Sequence, residues 1–392
     1  MLFLKMNERL LKFWSLTKKL GKNTVDVLSP TRSQDKMEST YSSHLTPSGI
    51  EIIMPTQNPS PEVLAMLQAK YSRDPKTVKR HLEDIATPEK AKNFMNTFYV
   101  GYGHRSIGRC GFLTLFVEGI SILAASVLVH SPKFNGQECS TRYLDFFTQG
   151  HYVPDGMPEQ AIQLREELMN FYREGLEVTI RDLESRYSWD GVTPKPQYLR
   201  TIKAKAFDIM RGFLPVSCKT NVAITMTLMD FQDHVLFLMG HLLEEVQEVG
   251  RGMLALLLEA YPSSFRAPKD EEVDLFSRLT LETLEVISDS EEEREVVVKK
   301  NINTEYLYDY FVKQTHLIGE PGQPKLIQFP REYEQAASVT IRGSLDFGSW
   351  RDIHRHTSAD HSLVVLQPKY FENWYLESLP EEIRERGEAV VR

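Results

Sequence analysis

The sequence predicts a helix-rich, soluble chain of two or three domains. Three observations predict it. Long apolar patterns recur at close to 3.6 residues. Hydrophobic residues make up 41% and charged residues 26% of the 392, an ordinary balance for a globular protein with ample core. The 3 cysteines, Cys110, Cys139 and Cys218, form no CxxC pair, which argues against a zinc ribbon or disulfide framework and for a reducing compartment. The formal net charge of -8 leaves no global basic footprint for a nucleic-acid polymer, while a local basic pocket is allowed.

The elements follow in chain order. Residues 1–23 are basic and amphipathic; Lys5, Glu8 and Arg9 interrupt the apolar run, so a surface helix or dispensable extension fits better than a secretory signal. Organelle transit is the other reading. Residues 24–49, rich in Ser, Thr and Pro, read as a linker. Helical patterns cover Pro61–Tyr71, Lys76–Ile85 and Pro88–Tyr99. The apolar stretch from Phe112 to Val129 approaches membrane-spanning length, but Glu118 inside it is costly in lipid. A buried strand at Phe112–Val117, a break at Gly119 and a buried helix fit better. Long helices are predicted over Glu159–Tyr187 and Leu199–Phe213, the second stopped at Leu214-Pro215. Another helical stretch is predicted over Asn221–Ala260, divided or kinked near Gly240. Acidic residues from 266 to 300 mark a boundary. Beyond them come a helical Thr304–Leu317, a Gly/Pro turn at Gly319–Pro324 and an Arg/His-rich stretch.

Three clusters carry chemistry. Gly103-His104-Arg105-Ser106-Ile107-Gly108 could line a phosphate or cofactor pocket, or Ser106 could simply cap a helix. In Gln137-Glu138-Cys139-Ser140-Thr141-Arg142-Tyr143, an extended backbone would put Glu138, Ser140 and Arg142 on one face. A carboxylate, a hydroxyl and a guanidinium there suit an anion and a ring or sugar; an internally paired Glu138 and Arg142 is the alternative. Cys139 would face away and is read as structural. Arg351-Asp352-Ile353-His354-Arg355-His356, with Asp360 and His361, could ligate a metal, hold an anionic cofactor, or form a basic helix face.

In this order and spacing, with Arg211-Gly212-Phe213-Leu214-Pro215 added, the chain resembles the flavin-dependent thymidylate synthases, most closely their two-lobed members. The resemblance covers about residues 60–268. It implies an α+β fold, helix-rich with a small antiparallel sheet, and a partial second copy of the lobe. The implied domains are a 1–50 extension and linker, a 51–268 first lobe, a 269–300 acidic linker and a 301–392 partial second lobe. Where the family has Arg-His-Arg, the first lobe has Val129-His130-Ser131. The C-terminal Arg355-His356-Thr357 looks like that motif, so a composite site is expected: the first lobe reads the nucleotide and the second supplies the flavin side.

The resemblance implies reductive methylation of dUMP, with methylenetetrahydrofolate as carbon donor, FAD as hydride carrier and NADPH as its reductant. By the same resemblance, Glu138, Ser140, Thr141, Arg142, Arg211 and Asp352 contact dUMP. Ser140, Arg142 and Arg211 carry the catalysis, with Arg211 countering charge on the uracil ring. His104, Ser106, Glu138, Arg351, Arg355 and His356 line the flavin, and further polar contacts fall near Thr227 and Asp233. No resident metal, membrane or nucleic-acid polymer is implied. A cytoplasmic homodimer of two-lobed chains is. The alternatives are a non-catalytic nucleotide- or partner-binding homologue, a His/Asp metal hydrolase, and transfer of another one-carbon unit.

Overall fold

The computed structural model describes residues 41–45, 51–55, 59–85, 88–101, 103–288, 296–314, 335–343, 345–354 and 371–392. The chain divides into two compact units, Met1–Asn58 and Pro59–Arg392. In the first, strands β1 (Tyr41–Leu45) and β2 (Glu51–Pro55) pair antiparallel, with Tyr41 opposite Pro55. Tyr41–Leu45 therefore departs from the expected linker: its Ser-rich composition hides an antiparallel pairing with the next strand, only five residues on.

The second unit opens with helix α1 (Pro61–Tyr71). Pro61 starts it, and the Ser60 side chain accepts the Val63 N–H at 3.4 Å, the cap and first residue that a helix start favours. Helices α2 (Val78–Ile85) and α3 (Pro88–Phe94) follow, and α3 runs into a π-helical turn at Met95–Gly101. Met66, Leu67 and Ala91 form a small core among them. A one-turn helix, α4 (Arg105–Gly108), leads to strand β3 (Phe112–Ser121).

Strand β3 is longer than expected and only half buried, because it is an edge strand with one face on the core. Leu113 is buried while Phe116 is 76% exposed. The register slips between Glu118 and Ile120, and Gly119, at φ +76°, supplies the left-handed residue of this bulge. The expected break at Gly119 is thus a kink within the strand. Ser121 then caps helix α5 (Ile122–Leu128) by accepting the Ala124 N–H at 2.9 Å. The Glu245 carboxylate accepts from the Ser121 N–H and hydroxyl, each at 2.6 Å. Among the described residues no helix is long and apolar enough to cross a membrane.

Strands β4 (Asn135–Glu138) and β5 (Lys219–Thr227) complete a three-stranded antiparallel sheet in the order β3-β5-β4. Strand β5 corrects the helix predicted from Asn221. Its residues Thr220, Val222, Ile224 and Met226 are buried in alternation, a period of two that the apolar helices after it mask. The fold class is α+β, helix-rich with small antiparallel sheets, as expected.

Helices α6 (Glu159–Arg186), α7 (Lys195–Met210), α8 (Leu228–Met239) and α9 (Glu244–Ala260) follow their predicted patterns, with Gly240 dividing the last two. Helix α10 (Asp270–Ser288) occupies much of the stretch expected as an acidic linker; the Glu291–Glu293 run lies outside the described residues. Strands β6 (Val297–Ile302) and β7 (Ala337–Arg342) pair antiparallel, and helices α11 (Glu305–Gln314), α12 (Phe347–Ile353), α13 (Asn373–Ser378) and α14 (Glu381–Val390) are the remaining elements among the described residues. The Gly319–Pro324 turn lies outside the described residues.

Two cores result. The inner sheet face packs Val222, Ile224 and Met226 against Leu128, Phe231 and Leu257 of the surrounding helices. The second core joins Phe171, Tyr172, Met210 and Phe213 to Tyr375, Leu379 and Ile383, so the C-terminal residues pack against α6 and α7. A Cβ on Gly212 would lie 2.5 Å from Tyr375 Cγ. Gly212→Ala is expected to cost about 1–3 kcal/mol by overpacking, read as a lower urea midpoint; an unchanged midpoint would contradict this packing.

His234 of α8 is 5% exposed, and burial pushes its imidazole down to about 4. An unfolded histidine titrates near 6.5, so the unfolded chain binds a proton that the folded chain refuses. This contribution is fully present above pH ~6.5 and is lost as pH falls toward 4, about 3 kcal/mol in all. Urea melts near pH 7 and about pH 4.5 should show a drop smaller by ~2 kcal/mol in His234→Phe than in the parent chain. Equal drops would refute the assignment.

Candidate active site

The predicted nucleotide residues gather at the end of β5 where β4 stops. Glu138 pairs with Val222, and the Cys139 N–H donates to Asn221 O at 3.0 Å. The chain then turns: Ser140 O accepts from the Tyr143 and Leu144 N–H groups, each at 3.2 Å, and Ser140 Oγ accepts the Arg142 N–H at 3.2 Å. This is the local hydroxyl-to-backbone bond that favours turns. It corrects the extended reading, so Glu138, Ser140 and Arg142 do not share a strand face. Thr141 is buried, and Cys139 packs against the second core.

The turn sends Arg142 to Asp208 of α7. Nε and Nη2 of Arg142 donate to the two carboxylate oxygens at 2.6 and 2.7 Å. The hydrogen bond and charge of Asp208 raise the Arg142 pKa further. Arg211, one helical turn after Asp208, approaches the same carboxylate at 3.9 Å. Its Nη2 lies 2.8 Å from Asp352 Oδ2. Burial works against the Arg211 charge, but Asp352 more than offsets it and the pKa still rises. The result is a ladder of alternating charge: Arg142, Asp208, Arg211, Asp352. Glu138 does not pair with Arg142; it forms a buried ion pair with Arg351.

Helix α12 brings Asp352 and Arg351 here. Asp346 caps it, accepting the Ser349 N–H at 2.9 Å, and also accepts the Tyr375 hydroxyl at 2.5 Å. Burial raises the Asp346 pKa, but these two bonds outweigh it and hold the carboxyl below its ordinary value. The Trp350 ring stacks on His354 at 4.1 Å and lies 6.5 Å from His130. Helix α12 thus stands beside Val129-His130-Ser131.

His104 and Ser106 lie elsewhere. Gly103, at φ +67°, lets the chain turn into α4. His104, not Ser106, is its N-cap residue and makes no side-chain cap bond, which corrects the capping alternative. The Leu228 N–H donates to Gly111 O at 2.9 Å, placing α4 beyond the Thr227 end of β5. Arg105 grips Asp233 of α8 with contacts of 2.6 and 2.8 Å. Thr227 caps α8 by accepting the Asp230 N–H at 3.1 Å. Phe112 faces Thr227 while Glu138 faces Val222, so roughly 17 Å of strand separates the two groups at about 3.3 Å per residue. The His104–Ser106 turn and the Arg142 turn thus stand at opposite ends of β5. Arg105, Ser106, Arg109, Met229 and Asp233 line an open pocket of about 460 Å³. With Arg105 held by Asp233, exposed Ser106 and Arg109 are what the pocket offers a polar, anionic cofactor.

Arg355, His356, Asp360 and His361 lie outside the described residues. His354 Nδ1 sits 3.1 Å from the Arg351 carbonyl. Among the described residues no group of three or more His, Cys, Asp or Glu could hold a metal ion.

This motif order has a counterpart among known proteins. A family model, "Thymidylate synthase complementing protein", matches residues 51–263, slightly more than half of the chain. The chain belongs to this family of flavin-dependent thymidylate synthases. It is similar to a UPF0159 protein of Chlamydia pneumoniae, 28% identical over 187 residues, and to one of Chlamydia muridarum (strain MoPn / Nigg), 27% identical over 187 residues. Each match covers 45% of this chain and 35% of the relative, so the chain spans about a third of the curated relatives' length.

Family motifs identify Glu138, Ser140, Arg142 and Arg211, but not Asp208, Asp233, Asp346 or Tyr375. Asp208 carries a sequence signal: it stands three residues before the motif arginine, the spacing at which helical side chains meet.

Proposed function

We propose that the chain acts as a flavin-dependent thymidylate synthase that methylates dUMP to dTMP with methylenetetrahydrofolate and NADPH. One observation carries this reading. Arg142 and Arg211, from separate family motifs, converge on one carboxylate, Asp208. Arg142 stays 43% exposed while so held. Asp208 therefore fixes the guanidinium without covering it, and Arg142 can grip the dUMP phosphate. Ser140 shapes the turn that presents it. Arg211 is 10% exposed, so the uracil oxygens reach it by displacing Asp352. In that half-dry place its charge opposes negative charge growing on the ring.

His104 and Ser106 would hold FAD, with Arg105 and Arg109 beside them and Arg355 and His356 joining from the second lobe. Bound and reduced by NADPH, FAD supplies the hydride. Glu138 and Arg351 are spent on each other, and a flavin contact by either would cost that buried pair. The 17 Å separation favours a site completed by a second chain, hence a homodimer; the reading places it in the cytoplasm, away from membranes and nucleic-acid polymers.

The test is a visible spectrum of the purified chain, then tritium release from dUMP labelled at C5. Flavin near one per chain and tritium release support the reading; a colourless protein that cannot be loaded with FAD sinks it. The pre-paired arginines also favour a second reading, a non-catalytic homologue. It predicts dUMP binding that depends on Arg142, with neither flavin nor tritium release.

A further inference from the structure

A second pocket opens on the other side of α4, lined from α1, α2, α3 and the π-helical turn. Its volume is about 340 Å³, at the low end of the ~300–1,000 Å³ typical of small-molecule sites. That is room for one mononucleotide but not for a whole dinucleotide. Phe94 and Phe98 form an aromatic wall, their ring centroids 4.7 Å apart. Lys70, Arg73 and Lys76 stand on the rim with a single acid, Asp74. Lys76 lies 3.7 Å from Asp74, and Arg73 Nη1 donates to Ala69 O at 2.8 Å, which holds that guanidinium at the edge of the pocket.

His81 also lines the pocket. It is 3% exposed, and its Nε2 has no hydrogen-bond partner among the described residues. Buried polar atoms are nearly always paired, so a ligand atom reaching this nitrogen would satisfy a group that has no partner among the described residues. An aromatic wall, an unsatisfied imidazole nitrogen and three cations against one carboxylate recognise a heteroaromatic ring bearing more than one phosphate.

We propose that this pocket binds the phosphorylated adenosine end of NADPH. The chemistry, an aromatic ring with two phosphates, comes from the pocket; the choice of NADPH rests on the function proposed above. The nicotinamide end would run out through the open side past His104, the one pocket residue also assigned to the flavin.

Titration calorimetry on the full chain tests this with 2′,5′-ADP, AMP, inorganic phosphate and dUMP. The expected order is 2′,5′-ADP tightest and inorganic phosphate at least ~10-fold weaker, a gap of about 1.4 kcal/mol. Lys70→Glu and Phe98→Ala, both at accessible positions, should each weaken 2′,5′-ADP about 10-fold or more and leave dUMP affinity at the parent value. No 2′,5′-ADP binding, or equal binding in both variants, overturns the pocket. Phosphate binding as tight as 2′,5′-ADP overturns the ring contact. AMP binding as tight as 2′,5′-ADP overturns NADPH in favour of the adenine end of FAD. Failure here and failure of the synthase reading are separable. Rim-dependent 2′,5′-ADP binding by a flavin-free chain would keep the pocket and drop the reading; tritium release without 2′,5′-ADP binding would do the reverse.

Discussion

Arg142→Ala should weaken dUMP binding by roughly 30- to 150-fold, about 2–3 kcal/mol, the cost of losing a charge-assisted contact to an anion. Part of that loss comes from the partner left behind. Without Arg142, the Asp208 carboxylate faces the same space with Arg211, at 3.9 Å, as its one remaining cation among the described residues, and it repels the phosphate. Asp208→Asn isolates this term. The guanidinium remains, its bidentate carboxylate partner is lost, and Arg142 is freer to move. The outcome follows from which effect dominates. If Asp208 mainly positions Arg142, Asp208→Asn weakens dUMP several-fold. If it mainly competes with the phosphate, the same change tightens binding. Because Arg142 is 43% exposed even when paired, positioning should dominate, since screening by solvent limits the repulsion. Titration of dUMP into the parent, the two single variants and the double variant reads both terms as a cycle. An Arg142→Ala chain that binds dUMP as the parent does would remove the phosphate grip from this arginine.

The parts of the molecule that were legible in the sequence are those governed by local patterns. Helix α6 shows its 3.6-residue apolar period over many turns, Leu214-Pro215 stops the helical stretch, and Gly240 divides α8 from α9. Strand β5 was not legible, because its nine residues run straight into apolar helices and only pairing with β3 and β4 decides its state. The motif residues were visible, but their partners were not. Extended alternation predicted one face for Glu138, Ser140 and Arg142, and a single hydroxyl-to-backbone bond at Ser140 breaks it. Arg142 then finds Asp208, 66 residues away in sequence, and Arg351 finds Glu138 at a separation of 213. No periodicity encodes such pairs. The second depends on where the C-terminal helices dock, to which Tyr375, Leu379 and Ile383 contribute by packing into the second core.

The buried pair of Glu138 and Arg351 should give the largest effect on stability. Their side chains are 1% and 9% exposed, so solvent screens the charges little. Removing one partner leaves a charge in a place built for two, and Arg351→Met or Glu138→Leu is expected to cost about 3–5 kcal/mol. The joint change should cost far less than the sum, since apolar side chains of similar volume often replace a buried ion pair at little loss. Urea unfolding of the four chains reads this coupling. Each single variant should also loosen α12, because Arg351 ties it to Glu138 of β4, and proteolysis near residue 354 should quicken. The same loosening frees Arg211 from Asp352, so dUMP affinity in Arg351→Met should rise relative to the parent even as stability falls. A stability loss below ~1 kcal/mol for Arg351→Met would mean that the pair is screened as a surface pair is, and that α12 does not sit over Glu138.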